Sequence, residues 1–498
     1  MRRRKVLIAT LVGLTTVALT TSVAGAASSS SDSTTTLEAA TGGKGAPQIA
    51  STSFDLATVG YEQSEYLFGG TATTYTSAAP LTNDGKWKVT AGSTAPFKTR
   101  LVVYRPVDAK DFNGTVIVEW NNVSAGLDSA PIWLAAHDEL IREGYAWVGV
   151  TAQRVGVEGG PNAIVPNLDL KHSDPDRYGT LVHPGDSYSY DMYRQAGVAA
   201  RDDAAELLGG LKPKHVIAAG ESQSAFRMTT YIDAVEPLSK GVYDGYLVYS
   251  RGDDGAALTQ APEPDLKAPS PTLIRTDITV PVMTFTTETD LTTLGYLAAR
   301  QPDTKLFRNW EVAGTAHADS YTLVVGMGDS GTPEGDVQLF QTMLDPPSGI
   351  YNDIIKCGSP FNTGPMTYVL RASIDALNTW VVDGTAPPKA PRLQTTGDDA
   401  APFALDADGN VKGGIRTPQV EAPVATLSGL GQTGSNFCSI FGTTKPFDAA
   451  TLAAKYPTHA AFVKAWNAAT DKAVKAGFLL AADAKNVKAA AGQSTVGG

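Results

Sequence analysis

The sequence predicts a doubly wound α/β fold, a mostly parallel sheet with helices on both faces, with an antiparallel β lead-in before it and an irregular and helical extension after it. Three observations carry this. Between residues 107 and 319, short apolar runs alternate with helix-compatible segments, the rhythm of a parallel sheet. The run Thr115–Trp120 is almost continuously apolar, as befits a strand covered on both faces. Finally, Gly220-Glu-Ser222-Gln-Ser224 joins such a run to a helix-capable segment, with small residues where the backbone must double back.

Taken in order, the chain opens on an expected export signal over 1–26. Arg2, Arg3, Arg4 and Lys5 form its basic start, residues 6–23 its apolar core, and Ala24-Gly25-Ala26 its cleavage site. The Ser/Thr-rich stretch 27–46 reads as a flexible spacer. Residues 47–498 are expected to form one domain. Its lead-in, 54–106, carries β-prone runs at 66–68, 73–75, 87–89 and 101–104 separated by turn residues, an antiparallel pattern. The core, 107–319, is read as strands at 115–120, 145–150, 216–219, 246–249, 282–286 and 310–312. Helices are placed at 131–142, with Trp133, Leu140 and Ile141 inward, at 191–208, ended by Gly209-Gly210, and at 225–235. The segments 155–190 and 320–365 exceed simple connections, so both are candidate lids or pocket walls, and 320–365 is read as an insertion or lid. A last core helix over 368–383 has Leu370, Ile374, Leu377 and Val381 on one stripe and stops at Gly384. The extension, 385–498, is Pro/Gly-rich and irregular to 447 and Ala/Lys-rich and helical over 448–491.

Composition narrows the function classes. At 498 residues, 42% hydrophobic and 18% charged, the chain can bury a substantial core. Removing the four basic residues of the signal from a chain of net charge −11 leaves −15. With no basic tract beyond the N-terminus, nucleic acid and anionic membrane surfaces are poor candidate partners, no nucleic acid is expected, and no later stretch is long enough for stable membrane insertion. A secreted, extracellular location is expected. Cys357 and Cys438 are the only cysteines and are expected to pair, worth about 4 kcal/mol for a loop of this length.

The chemistry centres on Ser222. A serine hydroxyl needs a base and the base an orienting acid, and in an open parallel sheet all three must project from the carboxyl ends of strands. The order Ser, then Asp/Glu, then His is available: Glu288 and Asp290 follow the 282–286 strand, and His317 follows the 310–312 strand. Asp290 is the preferred acid and Glu288 the alternative. The oxyanion donors are expected to be the backbone N–H of Gln223 and one from Asn122 or Asn121, in the loop after the 115–120 strand. Ser224 is the competing hydroxyl, better suited to capping helix amides. No metal or other cofactor is called for: His172-Ser-Asp174-Pro-Asp176 and His183-Pro-Gly-Asp186 lack ligand spacing, and Asp406-Ala-Asp408-Gly409-Asn410 lacks the distal glutamate of a calcium loop. Arg416 is left between the site and a surface ion pair.

The chain resembles the secreted bacterial α/β-hydrolase-domain proteins, a largely uncharacterised family, from about Tyr61 to about Thr444. The resemblance rests on Phe112-Asn-Gly-Thr-Val-Ile-Val-Glu-Trp-Asn-Asn122, Trp147-Val-Gly-Val-Thr-Ala-Gln-Arg154, His183-Pro-Gly-Asp-Ser-Tyr-Ser-Tyr-Asp191, Gly220-Glu-Ser-Gln-Ser-Ala225, Thr287-Glu-Thr-Asp290, Trp310-Glu-Val-Ala-Gly-Thr-Ala-His317 and Gly413-Gly-Ile-Arg-Thr-Pro418. It implies the α/β-hydrolase fold, Ser222 as nucleophile, His317 as base and an acid from the Glu288/Asp290 pair. The expected function is an exported serine hydrolase acting on carboxylic esters, small or polymeric. The alternatives are a peptidase or acyltransferase with the same triad, and a non-catalytic extracellular binding protein on this fold.

Overall fold

The computed structural model describes residues 35–160, 166–350, 355–434 and 437–498; the expected export signal lies outside them. Its centre is a nine-stranded sheet ordered β1-β2-β3-β5-β4-β6-β7-β8-β9. The strands are β1 (Thr36–Ala39), β2 (Tyr61–Thr76), β3 (Thr90–Pro106), β4 (Thr115–Trp120), β5 (Ala146–Val150), β6 (His215–Glu221), β7 (Gly245–Tyr249), β8 (Val282–Thr286) and β9 (Phe307–Glu311). Strands β1, β2, β3 and β5 pair antiparallel in turn, whereas β5, β4, β6, β7, β8 and β9 run parallel.

The parallel strands are mostly apolar because both faces are covered, with β9, which carries Arg308, Asn309 and Glu311, the most polar of them. In β4, Val116, Val118 and Trp120 enter one buried cluster with Tyr190 and Tyr193 of the helix Ser189–Asp202. Ile117 enters the opposite cluster with Trp133 of the helix Pro131–Arg142 and Leu370 and Ile374 of the helix Met366–Asp383. This is the period of two expected of a strand, with apolar partners on both sides.

Two readings need correction. Three of the four short runs of the lead-in are parts of two long strands, paired from Tyr61↔Pro106 to Thr76↔Thr90 with one register shift near Thr73, whereas the 87–89 run lies just before β3 and is not a strand. Gly69 and Gly70 interrupt the pattern in sequence but continue the ladder opposite Lys98 and Phe97. The stretch 27–46 is not all spacer either, since Thr36–Ala39 completes the free edge of β2. An exposed strand edge offers unpaired N–H and C=O groups, and β1 pairs with the Tyr66–Gly69 part of it.

The 320–365 segment is joined to the C-terminal extension. Its helix Pro333–Leu344 packs on the helices His459–Lys475 and Ala481–Gln493, where Phe340 meets Trp466 edge-on at 5.2 Å between ring centres. Arg371, fully buried, pairs with Asp138 at 2.6 Å and Asp483 at 3.6 Å, linking that extension to the core. Cys357 and Cys438 form a disulfide. Among the described residues no helix is long and apolar enough to cross a membrane.

Candidate active site

The turn after β6 is built by its small residues. Ser222 has φ 54° and ψ −121°, a strained conformation for a side-chain-bearing residue. Two features hold it there: Ser222 N–H donates to Tyr249 O at the end of β7 (2.9 Å), and the helix Gln223–Thr230 begins at the next residue. Gly220 is required, because a Cβ there would lie 2.8 Å from Ser224 O. Ser224 does not cap its own helix as expected. It is fully buried and donates to Asn121 O (3.1 Å), tying the helix to the loop after β4.

Past β8, the short helix Glu288–Thr292 opens with a capping box: Thr287 N–H donates to Asp290 Oδ2 (2.7 Å), and Asp290 N–H faces Thr287 Oγ1 (3.4 Å). This leaves Asp290 Oδ1 facing His317 Nδ1 at 2.6 Å. His317 arrives on the loop after β9, with its own N–H donated to Thr289 Oγ1 (3.3 Å), and its Nε2 lies 2.7 Å from Ser222 Oγ. Ser222, His317 and Asp290 therefore form one hydrogen-bonded chain across the carboxyl ends of β6, β8 and β9.

Glu288 is turned elsewhere. Its Oε1 accepts from Gly314 N–H (2.6 Å) and its Oε2 from Gly429 N–H (2.8 Å). Burial pushes its carboxyl up to about 7 against the pull of those amides. Glu288 braces the start of the loop that delivers His317. Arg416 likewise stays outside the site, pairing with Asp406 (2.7 Å) and Glu421 (2.5 Å). Asp408, in the same turn, pairs with Lys455 at 2.8 Å.

The oxyanion expectation needs correction at one of its two donors. Asn121 N–H donates to Val150 O (3.1 Å) and Asn122 N–H to Ser129 O (2.9 Å), so neither is available. The loop folds back on Ser129 and on the end of β5, pairings that lie far from local sequence. The next amide, Val123 N–H, has no acceptor among the described residues, and neither has Gln223 N–H at the first position of its helix.

Sequence reasoning missed two carboxylates here. Glu119, in the middle of β4, accepts from Ile132 N–H (2.9 Å), Trp133 N–H (3.1 Å) and Trp147 Nε1–H (2.8 Å), anchoring the start of the Pro131–Arg142 helix. Glu221 precedes the nucleophile; its Oε1 is 3.4 Å from His317 Nε2 and its Oε2 accepts from Asn122 Nδ2–H (2.8 Å). An acid in an otherwise apolar strand was the available signal for the first.

Electrostatics at His317 follow from these neighbours. Burial disfavours the imidazolium, but the Asp290 and Glu221 carboxylates outweigh it, leaving the ring above its ordinary range. Beside the helix that follows Ser222 lies a cleft of about 410 Å³ whose lining includes Gln223, Phe226, Arg227, Asp254, Gln260 and Lys267. Arg227 is held in its wall by Asp186 at 3.1 Å.

The sequence model described as "Alpha/beta hydrolase domain" matches residues 33–489. The chain belongs to this family. No curated protein matches the hydrolase domain. Solved structures similar to it include a fungal esterase from Rhizomucor miehei, at 12% identity, TM-score 0.28, over 58% of this chain and 89% of that one. A putative dienelactone hydrolase from Klebsiella pneumoniae is 14% identical, with TM-score 0.28, over 55% of this chain and 98% of that one. The Xanthomonas campestris protein XC6422, described as an α/β serine hydrolase without lid, is 14% identical, TM-score 0.25, over 47% and 84%. At these values the likenesses carry no argument about activity.

Proposed function

We propose that this hydrolase domain is a serine esterase that cleaves carboxylic esters through an acyl-enzyme intermediate. The observation that carries the reading is the hydrogen-bonded chain from Ser222 Oγ to His317 to Asp290, with the serine on a strained turn. In the first half-reaction Ser222 Oγ bonds to the ester carbonyl carbon while its proton passes to His317 Nε2. Collapse of the tetrahedral intermediate breaks the bond to the alcohol, whose oxygen takes that proton. Water repeats the sequence on the acyl-enzyme, its proton passing to Nε2 and then to Ser222 Oγ as the acid leaves. Asp290 keeps the proton of His317 on Nδ1, so that Nε2 is free to act as base.

The oxyanion donors we assign are Gln223 N–H and Val123 N–H, neither of which has a protein acceptor among the described residues. The charged and amide side chains of the neighbouring cleft favour short or polar esters over long acyl chains. Export fits the Cys357–Cys438 disulfide, which an oxidising compartment would maintain, together with the basic-then-apolar start of the chain. The N-terminus of the protein recovered from culture medium tests that part. The activity is tested with aryl esters of increasing chain length. Hydrolysis is expected with the wild type and lost with Ser222→Ala; retained hydrolysis in that variant would refute the reading.

A further inference from the structure

The imidazole of His317 meets more than the one carboxylate that a triad requires. Asp290 occupies its Nδ1 edge, and Glu221 Oε1 stands 3.4 Å from Nε2, the nitrogen that exchanges the reacting proton. The position of Glu221 is fixed from two sides. It is the last residue of β6, and Asn122 Nδ2–H donates both to its backbone O (3.2 Å) and to its Oε2 (2.8 Å). Its side chain is buried, and among the described residues its one ion-pair partner is His317. The other titratable groups that act on it are Asp290 from the helix after β8, Tyr249 from β7 and Glu119 from β4, none of them a cation.

We propose that Glu221, held by Asn122, is a positioning residue of the esterase reaction that stabilises the His317 imidazolium from its Nε2 edge, while Asp290 serves the Nδ1 edge. The inference rests on the triad reading above and adds to it. When the proton of Ser222 arrives on Nε2, the new cation lies between two carboxylates. Glu221 takes no proton in the cycle: the Nε2 proton goes on to the leaving alcohol, and Glu221 only lowers the energy of the charged intermediate.

The titration of the site follows with a definite sign. Burial raises the Glu221 carboxyl to about 7, against the opposing pull of His317 and Asn122, so its negative charge is at work on the alkaline side of that value. Each negative charge beside the ring raises its pKa. Removing the one at 221 must therefore lower it, by about one unit at the low end for an opposite charge within about 4–6 Å. The acid limb of kcat/KM moves down in pH by the same amount, and the plateau rate falls about tenfold as the imidazolium loses its second carboxylate. A purely structural glutamate would lower stability and rate without moving the limb.

The test is a titration of His317 followed by NMR on histidine-labelled full-length protein, with His317→Asn identifying the resonance. Glu221→Gln is isosteric and is expected to lower the His317 pKa by about one unit. Glu221→Asp draws the charge back by one methylene and is expected to give a smaller shift of the same sign, which decides the matter if the glutamine variant does not fold. An unchanged His317 pKa in the folded variants would overturn the proposal. The titration needs no activity: retained hydrolysis by Ser222→Ala alongside a shifted His317 in Glu221→Gln would remove the esterase reading and leave the electrostatic coupling standing.

Discussion

Replacing Asp290 by asparagine disables the base through a tautomer switch that the capping box enforces. Asp290 Oδ2 accepts Thr287 N–H at 2.7 Å while Oδ1 faces His317 Nδ1 at 2.6 Å. An asparagine has one acceptor oxygen and one donor nitrogen. Because the Thr287 amide is buried and must be satisfied, the oxygen stays with it and the NH2 turns toward His317. Nδ1 must then accept, so the ring proton resides on Nε2 and points at Ser222 Oγ. The serine has lost its base with almost no change of shape. The expected loss in kcat is about 10⁴-fold, by analogy with the same substitution in other serine triads, or about 5 kcal/mol of transition-state stabilisation. Glu288→Gln is the matching control. One oxygen cannot serve both Gly314 N–H and Gly429 N–H, so that variant is expected to lose about 1–3 kcal/mol of stability, with kcat within about tenfold of wild type. Steady-state hydrolysis of a short aryl ester, with chemical denaturation of each variant, measures both effects. A nearly active Asp290→Asn beside a folded but inactive Glu288→Gln would refute the reasoning.

Other expectations follow from the same contacts. His317 must be neutral to act as base and its pKa is raised, so kcat/KM should fall on the acid side from a midpoint above the usual imidazole range; a wild-type pH profile with its midpoint below that range would contradict this. Glu119→Ala strands three buried donors and leaves a cavity, for an expected loss of about 3–5 kcal/mol measured by urea unfolding. Replacing both cysteines by serine opens a loop spanning a separation of 81 residues, an expected cost of about 4 kcal/mol. It should also slow hydrolysis, since Phe441 O accepts from Asn362 N–H and Ile440 O from Ala318 N–H, next to His317. Across a series of aryl esters, kcat/KM should decline from short to long acyl chains, and a preference for long chains would count against the polar cleft as the acyl site.

The sequence was readable where chemistry and strand position coincide. Ser222, Asp290 and His317 each stand just past an apolar run, and in a parallel sheet that placement alone brings distant residues to one edge. The helices at 131–142 and 368–383 were legible from their apolar faces and emerge as Pro131–Arg142 and Met366–Asp383, whereas the one read over 191–208 is broken at Asp203. What could not be read depends on partners far along the chain. Nothing local to Asn121 and Asn122 says that their amides are taken by Val150 and Ser129, which moves the expected oxyanion donor one residue on. The length of β2 was hidden because Gly69 and Gly70 look like punctuation, although their ladder partners hold them in the strand. Glu221 read as part of the nucleophile motif; its place beside His317 exists only once β6 and the loop after β9 come together.

The most direct measurement is active-site labelling with a fluorophosphonate, followed by intact-mass and peptide mass spectrometry. The wild type is expected to gain one adduct, located on Ser222, with labelling abolished in Ser222→Ala and strongly slowed in His317→Asn. An unlabelled wild type, or an adduct that persists in Ser222→Ala, would contradict Ser222 as the nucleophile.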